Sequence, residues 1–481
     1  MKGKFIFYGT IILMAITVLS CTRQIQLKHN DEDDIRVAPV EGGKSVKITK
    51  YTGTKQLFRV PLRFAEFPIT AIGNNAFVNK ELISVTIPKN VTEIGENAFA
   101  GNLLIAIDIP NSVTDIGNGA FANNQLYTVN IPNSVKSIGN GAFAGNRLTS
   151  VAIPNSVTAI GAMAFAGDFK DNKPTDTGNQ LTSVKIGNSV TTIGEGAFAG
   201  NQLASIAIPN SVTAIGNGAF RYNPLTSIAI PDSVIAIGDD AFAGDYNDDN
   251  QQSLGQLTKV TIGNSVTTIG SRAFINNQLS TIAFPNSITI IGERAFESNQ
   301  LTSVDIPDYL TFIGGGAFND NRNLASINVG SGNNAYCSED GVLFNKNKNT
   351  LVAWPNGKIP VAIPSSVTII GDYALAYNRL KVITIPDSVT AIGVAAFYKN
   401  QLTSVTIPNS VKTIGEAAFY GNELTSITIG SNVALSPSSL DSRFYTLYNR
   451  ASNTYTYSDV RYGFGKAAGT YVKRNDDWWR Q

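Results

Sequence analysis

The residues able to carry chemistry are few. The 481-residue chain has one histidine, His29, and two cysteines, Cys21 and Cys337. Ser–His–Asp and Cys–His catalysis, and zinc sites built on histidine, have almost no raw material here. His29 stands beside the acidic run Asp31-Glu32-Asp33-Asp34, a polar stretch that reads as a solvated linker rather than a metal site. Asp245, Asp248 and Asp249 are oxygen ligands of the kind calcium takes, but their spacing lacks the glycine and distal glutamate of an EF-hand loop. Neither a metal nor another cofactor is expected. Glu339 and Asp340 are adjacent in sequence and do not make the opposed carboxylate pair of a glycosidase, so a surface glycosidase is only a remote alternative. The expectation is a protein that is not an enzyme.

Composition narrows the choice further. Apolar residues make up 43% and charged residues 15%, which excludes a charge-rich disordered chain. Lys+Arg 37 against Asp+Glu 36 gives a net charge of +1, which argues against nucleic acid as a partner. The N-terminus reads as an address: Lys2 and Lys4, an apolar run from Phe5 to Leu19, then Ser20 and Cys21. That run is shorter than the roughly 20 residues a membrane span needs. Val18-Leu19-Ser20-Cys21 resembles a relaxed cleavage box of bacterial lipoproteins. The resemblance implies acylation of Cys21 and anchoring in the outer membrane at the cell surface, with a periplasm-facing or secreted protein as the alternative. Cys337 would then lack a partner thiol, so the fold should not depend on disulfides.

The elements that must position any site come from one internal repeat. Ile-Gly recurs with its Gly at 73, 95, 117, 139, 161, 194, 216, 238, 270, 292, 314, 371, 393 and 415. Ala-Phe follows three residues later, except for Ala374-Leu375. Asn falls three residues after the Phe position at 102, 124, 146, 201, 223, 277, 299, 321, 378, 400 and 422. In the clearest unit, Leu402, Val405 and Ile407 alternate with polar residues as a short strand that Pro408 ends. Val411 to Ile414 is a second extended piece, Gly415 permits a turn, and Glu416 to Phe419 is long enough for one helical turn. A unit this short cannot offset its ordering cost of about 1–2 kcal/mol per residue alone, whereas stacked units share one core. The expected fold is a right-handed repeat solenoid of about 14 turns of 22 residues, with a parallel β-sheet on one face and short turns or one-turn helices on the other. The Asn column should be an internal ladder satisfying turn backbone.

The pattern L-x-x-V-x-I-P-x-S-V-x-x-I-G-x-x-A-F resembles the BspA-type leucine-rich repeats of bacterial surface proteins, from about Ser45 to Leu435. The entry segment Ile48 to Gly53 and the irregular segment Tyr336 to Lys358 match as well, the latter as an enlarged repeat with a small hairpin. The tail Ala468-Gly469-Thr470-Tyr471 before Trp478-Trp479 is similar to tails on treponemal members. The resemblance implies a surface protein that binds proteins, such as host matrix or surface proteins, and brings no catalytic residues. The boundaries that follow are a signal peptide at 1–20, a flexible tether at 21–44, an N-terminal cap at 45–72, and solenoid at 73–323 with loops 168–178 and 245–254. An enlarged repeat at 324–370, solenoid at 371–435 and an aromatic C-terminal cap at 436–481 complete the chain.

Two surfaces are candidates for binding. Strand alternation turns Thr384, Thr406 and Thr428 outward, in columns that are small and mostly neutral and lack Trp, Tyr and Arg. The inserts carry the richer groups: Asp168, Phe169, Lys170, Asp171 and Lys173 in the first, Asp245, Tyr246, Asp248 and Asp249 in the second. Adhesive protein binding is therefore the leading expectation, with no small-molecule substrate. A structural or self-associating envelope protein is the alternative.

Overall fold

In the computed structural model, residues 32–430 are described, apart from 168, 171–172, 175–177, 248–251 and 254; so are 469–474 and 477–480. The signal peptide and Cys21 lie outside these residues. The chain forms two compact units, Met1–Val234 and Ile235–Gln481. Each is a parallel β-solenoid whose wall is built from repeat columns.

In the first unit the stretch expected as a tether is folded from Glu32 onward. Glu32–Asp34 is a short 3₁₀ turn, and Ile35–Pro39 pairs antiparallel with Val46–Tyr51. Ile35 and Tyr51 are buried, so the apolar alternation of Ile35 and Val37 caps the first turn instead of linking to it. Beyond the cap, the continuous ladder runs not through the L-x-x-V-x-I strands but through the two residues before each glycine. Phe67–Ile72, Glu93–Ile94, Asp115–Ile116, Ser137–Ile138, Ala159–Ile160, Thr192–Ile193 and Ala214–Ile215 pair in parallel, rung on rung. The L-x-x-V-x-I strands pair only in twos, as Ala106–Asp108 with Thr128–Asn130. The glycine column explains the difference, because it lets neighbouring rungs approach there more closely than side chains allow. A Cβ on Gly139 would lie 2.5 Å from Asn118 N and Gly117 C.

The second unit repeats this plan. Ala236–Ile237, Thr268–Ile269, Ile290–Ile291 and Phe312–Ile313 form one ladder, and Thr350–Ala353, Ile369–Ile370, Ala391–Ile392 and Thr413–Ile414 another. Between them the enlarged repeat makes the expected hairpin, Tyr336–Glu339 antiparallel to Val342–Asn345. The backbone of Gly469–Arg474 pairs antiparallel with the last strand, Ser426–Ile429, and Asp477–Arg480 pairs with it in turn.

The one-turn helix expected at Glu416 to Phe419 does not form. Ala417 is left-handed, with φ of 53°. The same position, two after the repeat glycine, is left-handed at Asn97, Gly119, Gly141 and Met163 in the first unit and at Arg272, Arg294, Tyr373 and Ala395 in the second. A left-handed residue interrupts the right-handed dihedrals that an α or 3₁₀ turn needs. The turn backbone instead bonds to the next rung, as Phe121 N to Ala142 O at 2.8 Å and Phe143 N to Ala164 O at 2.9 Å.

Inside, the columns stack as expected. Phe99, Phe121, Phe143 and Phe165 pile with centroids 5.3–5.5 Å apart and planes within 11°. In the second unit Phe397 and Phe419 stack at 5.0 Å, while Thr406 on the neighbouring strand is exposed. Phe419→Ala should cost about 3–5 kcal/mol by leaving a cavity, and Thr406→Ala should cost little. Hydrogen-exchange protection of residues 393–422 checks this: similar small losses from both variants would contradict the inward Phe column.

Candidate functional site

The Asn column is structural. Asn146 is fully buried; its Nδ2 donates to Phe121 O and Phe143 O at 2.9 and 3.0 Å, and its Oδ1 accepts from Leu126 N at 3.1 Å. Asn179, which the first insert displaces from its regular spacing, does the same for its rung. It donates to Phe143 O at 2.8 Å and accepts from Leu148 N.

The residues expected to bind are placed as follows. In the first unit the insert is an antiparallel hairpin pairing Phe169 with Pro174 and Lys170 with Lys173, while Asp168 and Asp171 lie outside the described residues. In the second unit Tyr246–Asn247 pairs with Gln252–Ser253, Asp245 is half-buried, and Asp248 and Asp249 lie outside the described residues. Thr406 is exposed and Thr428 half-buried on paired strands; Thr384 is exposed on an extended stretch with no ladder partner strand. Among the described residues no group of three or more His, Cys, Asp or Glu converges as a metal site, and no helix is long and apolar enough to cross a membrane.

The densest set of interacting polar and aromatic side chains is one that sequence reasoning missed, on the turn face of the second unit. The enlarged repeat loops out, so the turn after Gly371 stacks directly on the turn after Gly314: Asn319 Nδ2 donates to Tyr373 O at 2.9 Å. Gly316, left-handed at φ +68°, leaves room there, with Arg294 Cγ and Tyr373 Cβ at 3.4 and 3.3 Å from where a Cβ would sit. Arg294 forms a two-pronged ion pair with Glu297, at 2.6 and 2.7 Å, and the Glu297 carboxylate is almost wholly buried. Tyr377 Oη reaches across to Glu297 Oε1 at 3.4 Å. Tyr398 packs edge-on to Tyr377 at 5.5 Å and stacks on Tyr420 at 5.5 Å with planes 11° apart. Lys399 Nζ lies over the rings of Tyr377 and Tyr398, 5.5 and 5.6 Å from their centroids.

Electrostatics fix the protonation of this face. The hydrogen bond to Glu297 raises the Arg294 pKa further, so the guanidinium stays charged. Burial, with Glu297 beside it, pushes the Tyr377 phenol far up, and burial followed by Tyr420 pushes Tyr398 up to about 12. The hydroxyls thus remain donors through neutral and mildly alkaline pH. A sequence signal was available in the two positions after the Phe column. They read Ala100-Gly101, Ala122-Asn123 and Ala144-Gly145 on three rungs of the first unit, but Glu297-Ser298, Tyr398-Lys399 and Tyr420-Gly421 on three rungs of the second.

A rigid parallel solenoid with a Leu, Ile and Phe core and one chemically distinct face defines a leucine-rich-repeat-type scaffold. The BspA type leucine rich repeat region matches residues 60–170, 176–253, 250–340 and 359–445, in 6 copies, and the chain belongs to that family. Among solved structures, a leucine-rich repeat protein from Bacteroides ovatus is 25% identical, over 81% of this chain and 91% of its own, with a TM-score of 0.50. One from Eubacterium ventriosum is 30% identical over 52% of this chain, TM-score 0.42, and the match spans 60% of that protein's length. The pneumococcal vaccine antigen PcpA is 20% identical over 83% of this chain and 80% of its own, TM-score 0.38. No curated protein matches the chain.

Proposed function

We propose that the protein is a lipid-anchored scaffold of the bacterial cell surface that binds other proteins, and that it does so through the tyrosine face of its second unit. The observation that carries this reading is the composition of that face. Tyr, Arg and Lys, the first two prominent in binding hot spots, gather at 373–420, whereas the strand faces are walled by Ser, Thr and Ala. A turn held on both sides by rung-to-rung hydrogen bonds loses little entropy on binding, which favours affinity from a modest area. The two hairpins are secondary contact points. Cys21 acylation supplies the membrane attachment, and the presence of one histidine in the whole sequence agrees with a non-enzymatic role.

The test uses the full-length chain in detergent micelles against immobilised matrix proteins, with protease shaving of intact cells to establish exposure. The triple variant Tyr398→Ser, Lys399→Ser, Tyr420→Ser should lose at least tenfold in affinity, while deletion of either hairpin should cost less. Unchanged binding by the triple variant, with hairpin deletion abolishing it, would move the interface to the inserts. Absence of saturable binding together with concentration-dependent self-association would favour a structural envelope protein.

A further inference from the structure

A different surface of the second unit lies where the Asn column passes into the strand face. Charge sets it apart. The whole chain carries +1, but 350–412 holds five Lys and Arg against two Asp. Hydrogen bonds fix the register of this edge. Gly357 N donates to Leu324 O and Gln401 N to Leu380 O, so Gly357, Arg379 and Gln401 share one column on three consecutive rungs. Lys358 and Leu380 share the next column, then Ile359 and Lys381, then Pro360 and Val382. Neighbouring rungs thus carry Lys358-Ile359-Pro360 on one and Arg379, Lys381 and Val382 on the other.

The cations of this edge are held in place and lack counter-charges. Lys358 N donates to Pro355 O at 3.0 Å, and Lys358 O accepts from Trp354 Nε1 at 2.9 Å. Arg379 Nη2 donates to Asn356 O at 3.3 Å, which draws the guanidinium toward the Lys358 rung and uses one of its five N–H groups. Arg272, Arg294 and Arg322 of the same unit each face a carboxylate. Arg379, Lys358 and Lys381 face none within 4.0 Å among the described residues. Beside them stand Val382, 77% exposed, and Ile359, 70% exposed, the most exposed large apolar side chains among the described residues. Unpaired cations call for an anionic partner, and Arg379 suits the planar fork of a carboxylate. The apolar pair selects among anions: a sulfated sugar polymer has few apolar groups to cover it, whereas a polypeptide brings them. We infer that this edge binds an acidic segment of a partner protein, its carboxylates on Arg379, Lys381 and Lys358 and its apolar side chains on Ile359 and Val382.

The probe is acetyl-Glu-Leu-Glu-Glu-Leu-Glu-amide, titrated calorimetrically into the full-length chain in nonionic detergent, with protein-free micelles as the blank. Acetyl-Glu-Ser-Glu-Glu-Ser-Glu-amide is the control of equal charge. The leucine peptide should bind saturably and at least tenfold more tightly than the serine peptide. Arg379→Gln combined with Lys381→Gln should weaken it at least tenfold and flatten its salt dependence. Val382→Ser should weaken it severalfold and leave the salt dependence in place. Lys381 and Val382 are exposed, so Lys381→Gln alone and Val382→Ser keep the test decisive if loss of the Arg379 bond to Asn356 O disturbs folding. Equal affinity for the two peptides, or affinity unchanged in Lys381→Gln and Val382→Ser, would overturn the inference. Binding of a heparin fragment with no binding of the peptide would assign the edge to a sulfated polymer. Self-association that Lys381→Gln abolishes, with the peptide unbound, would assign it to a second copy. Either result overturns the acidic-segment reading. The double variant Tyr398→Ser, Tyr420→Ser of the tyrosine face should keep the peptide affinity; its loss would place the peptide on that face and overturn the assignment to this edge.

Discussion

Gly139→Ala is expected to destabilise the first unit by about 3 kcal/mol or more. The methyl group would lie 2.5 Å from Asn118 N and Gly117 C, both backbone atoms of the rung below. Neither can rotate away as a flexible side chain would, because that rung is held by Gly139 N to Ile116 O at 2.9 Å and by the pairing of Ser137–Ile138 with its neighbours. Two residues on, Gly141 provides the contrast. Its φ of +60° strains any other residue, but a Cβ there meets nothing nearer than Ala144 Cβ at 4.0 Å. Gly141→Ala should therefore cost only about 1–2 kcal/mol, the left-handed penalty for a residue with a Cβ. Urea denaturation followed by fragment-resolved hydrogen exchange separates the two. A smaller loss for Gly139→Ala than for Gly141→Ala would refute close rung approach as the reason for the Ile-Gly column.

Asn146→Ala should be comparably damaging, for an unrelated reason. The amide bonds four backbone groups on two rungs, buried Leu126 N, Phe121 O and Phe143 O and, at 3.4 Å, part-buried Ala144 O. Truncation strands Leu126 N, a buried group whose loss costs about 1–3 kcal/mol, whereas Phe121 O keeps Asn124 Nδ2 at 3.1 Å and Phe143 O keeps Asn179 Nδ2 at 2.8 Å, so each carbonyl loses one of two bonds. With the two weakened carbonyls and the small cavity added, the expected total is about 2–4 kcal/mol. Exposed Thr128, two residues after Leu126, serves as the control and should tolerate Ala within about 0.5 kcal/mol. Amide exchange at Leu126 is the most direct readout. If its protection in Asn146→Ala matches the wild type, the ladder does not depend on that side chain.

Much of the fold was legible because it is periodic. A 22-residue spacing that places Leu, Val, Ile, Phe and Asn in register tells which groups stack on which, and the stacked rings and buried amides follow from that alone. The structure of 32–44 was less legible because Ile35 and Val37 are too few to show a period, although Ile35 is buried and Val37 half-buried in the strand that pairs with Val46–Tyr51. The absence of one-turn helices was hidden as well. Ala395, Ala417, Arg272 and Tyr373 have no intrinsic preference for the left-handed region, and only the need to bond the next rung holds them there.

By itself the sequence determined the repeat family, the inward columns, the polar ladder and the place of the enlarged repeat, since each is a statement about residues i and i+22. The proposed binding surface was decided by tertiary structure. Glu297 and Tyr377 are 80 residues apart, and Asn319 and Tyr373 are 54 apart. No period joins them. They meet because residues of the enlarged repeat leave the stack and return, so that a turn bearing tyrosines closes over a turn bearing glycines next to a buried Arg–Glu pair. A repeat's own spacing specifies its neighbours only while the chain keeps that spacing, and where it departs, the backbone path through three dimensions chooses the contacts.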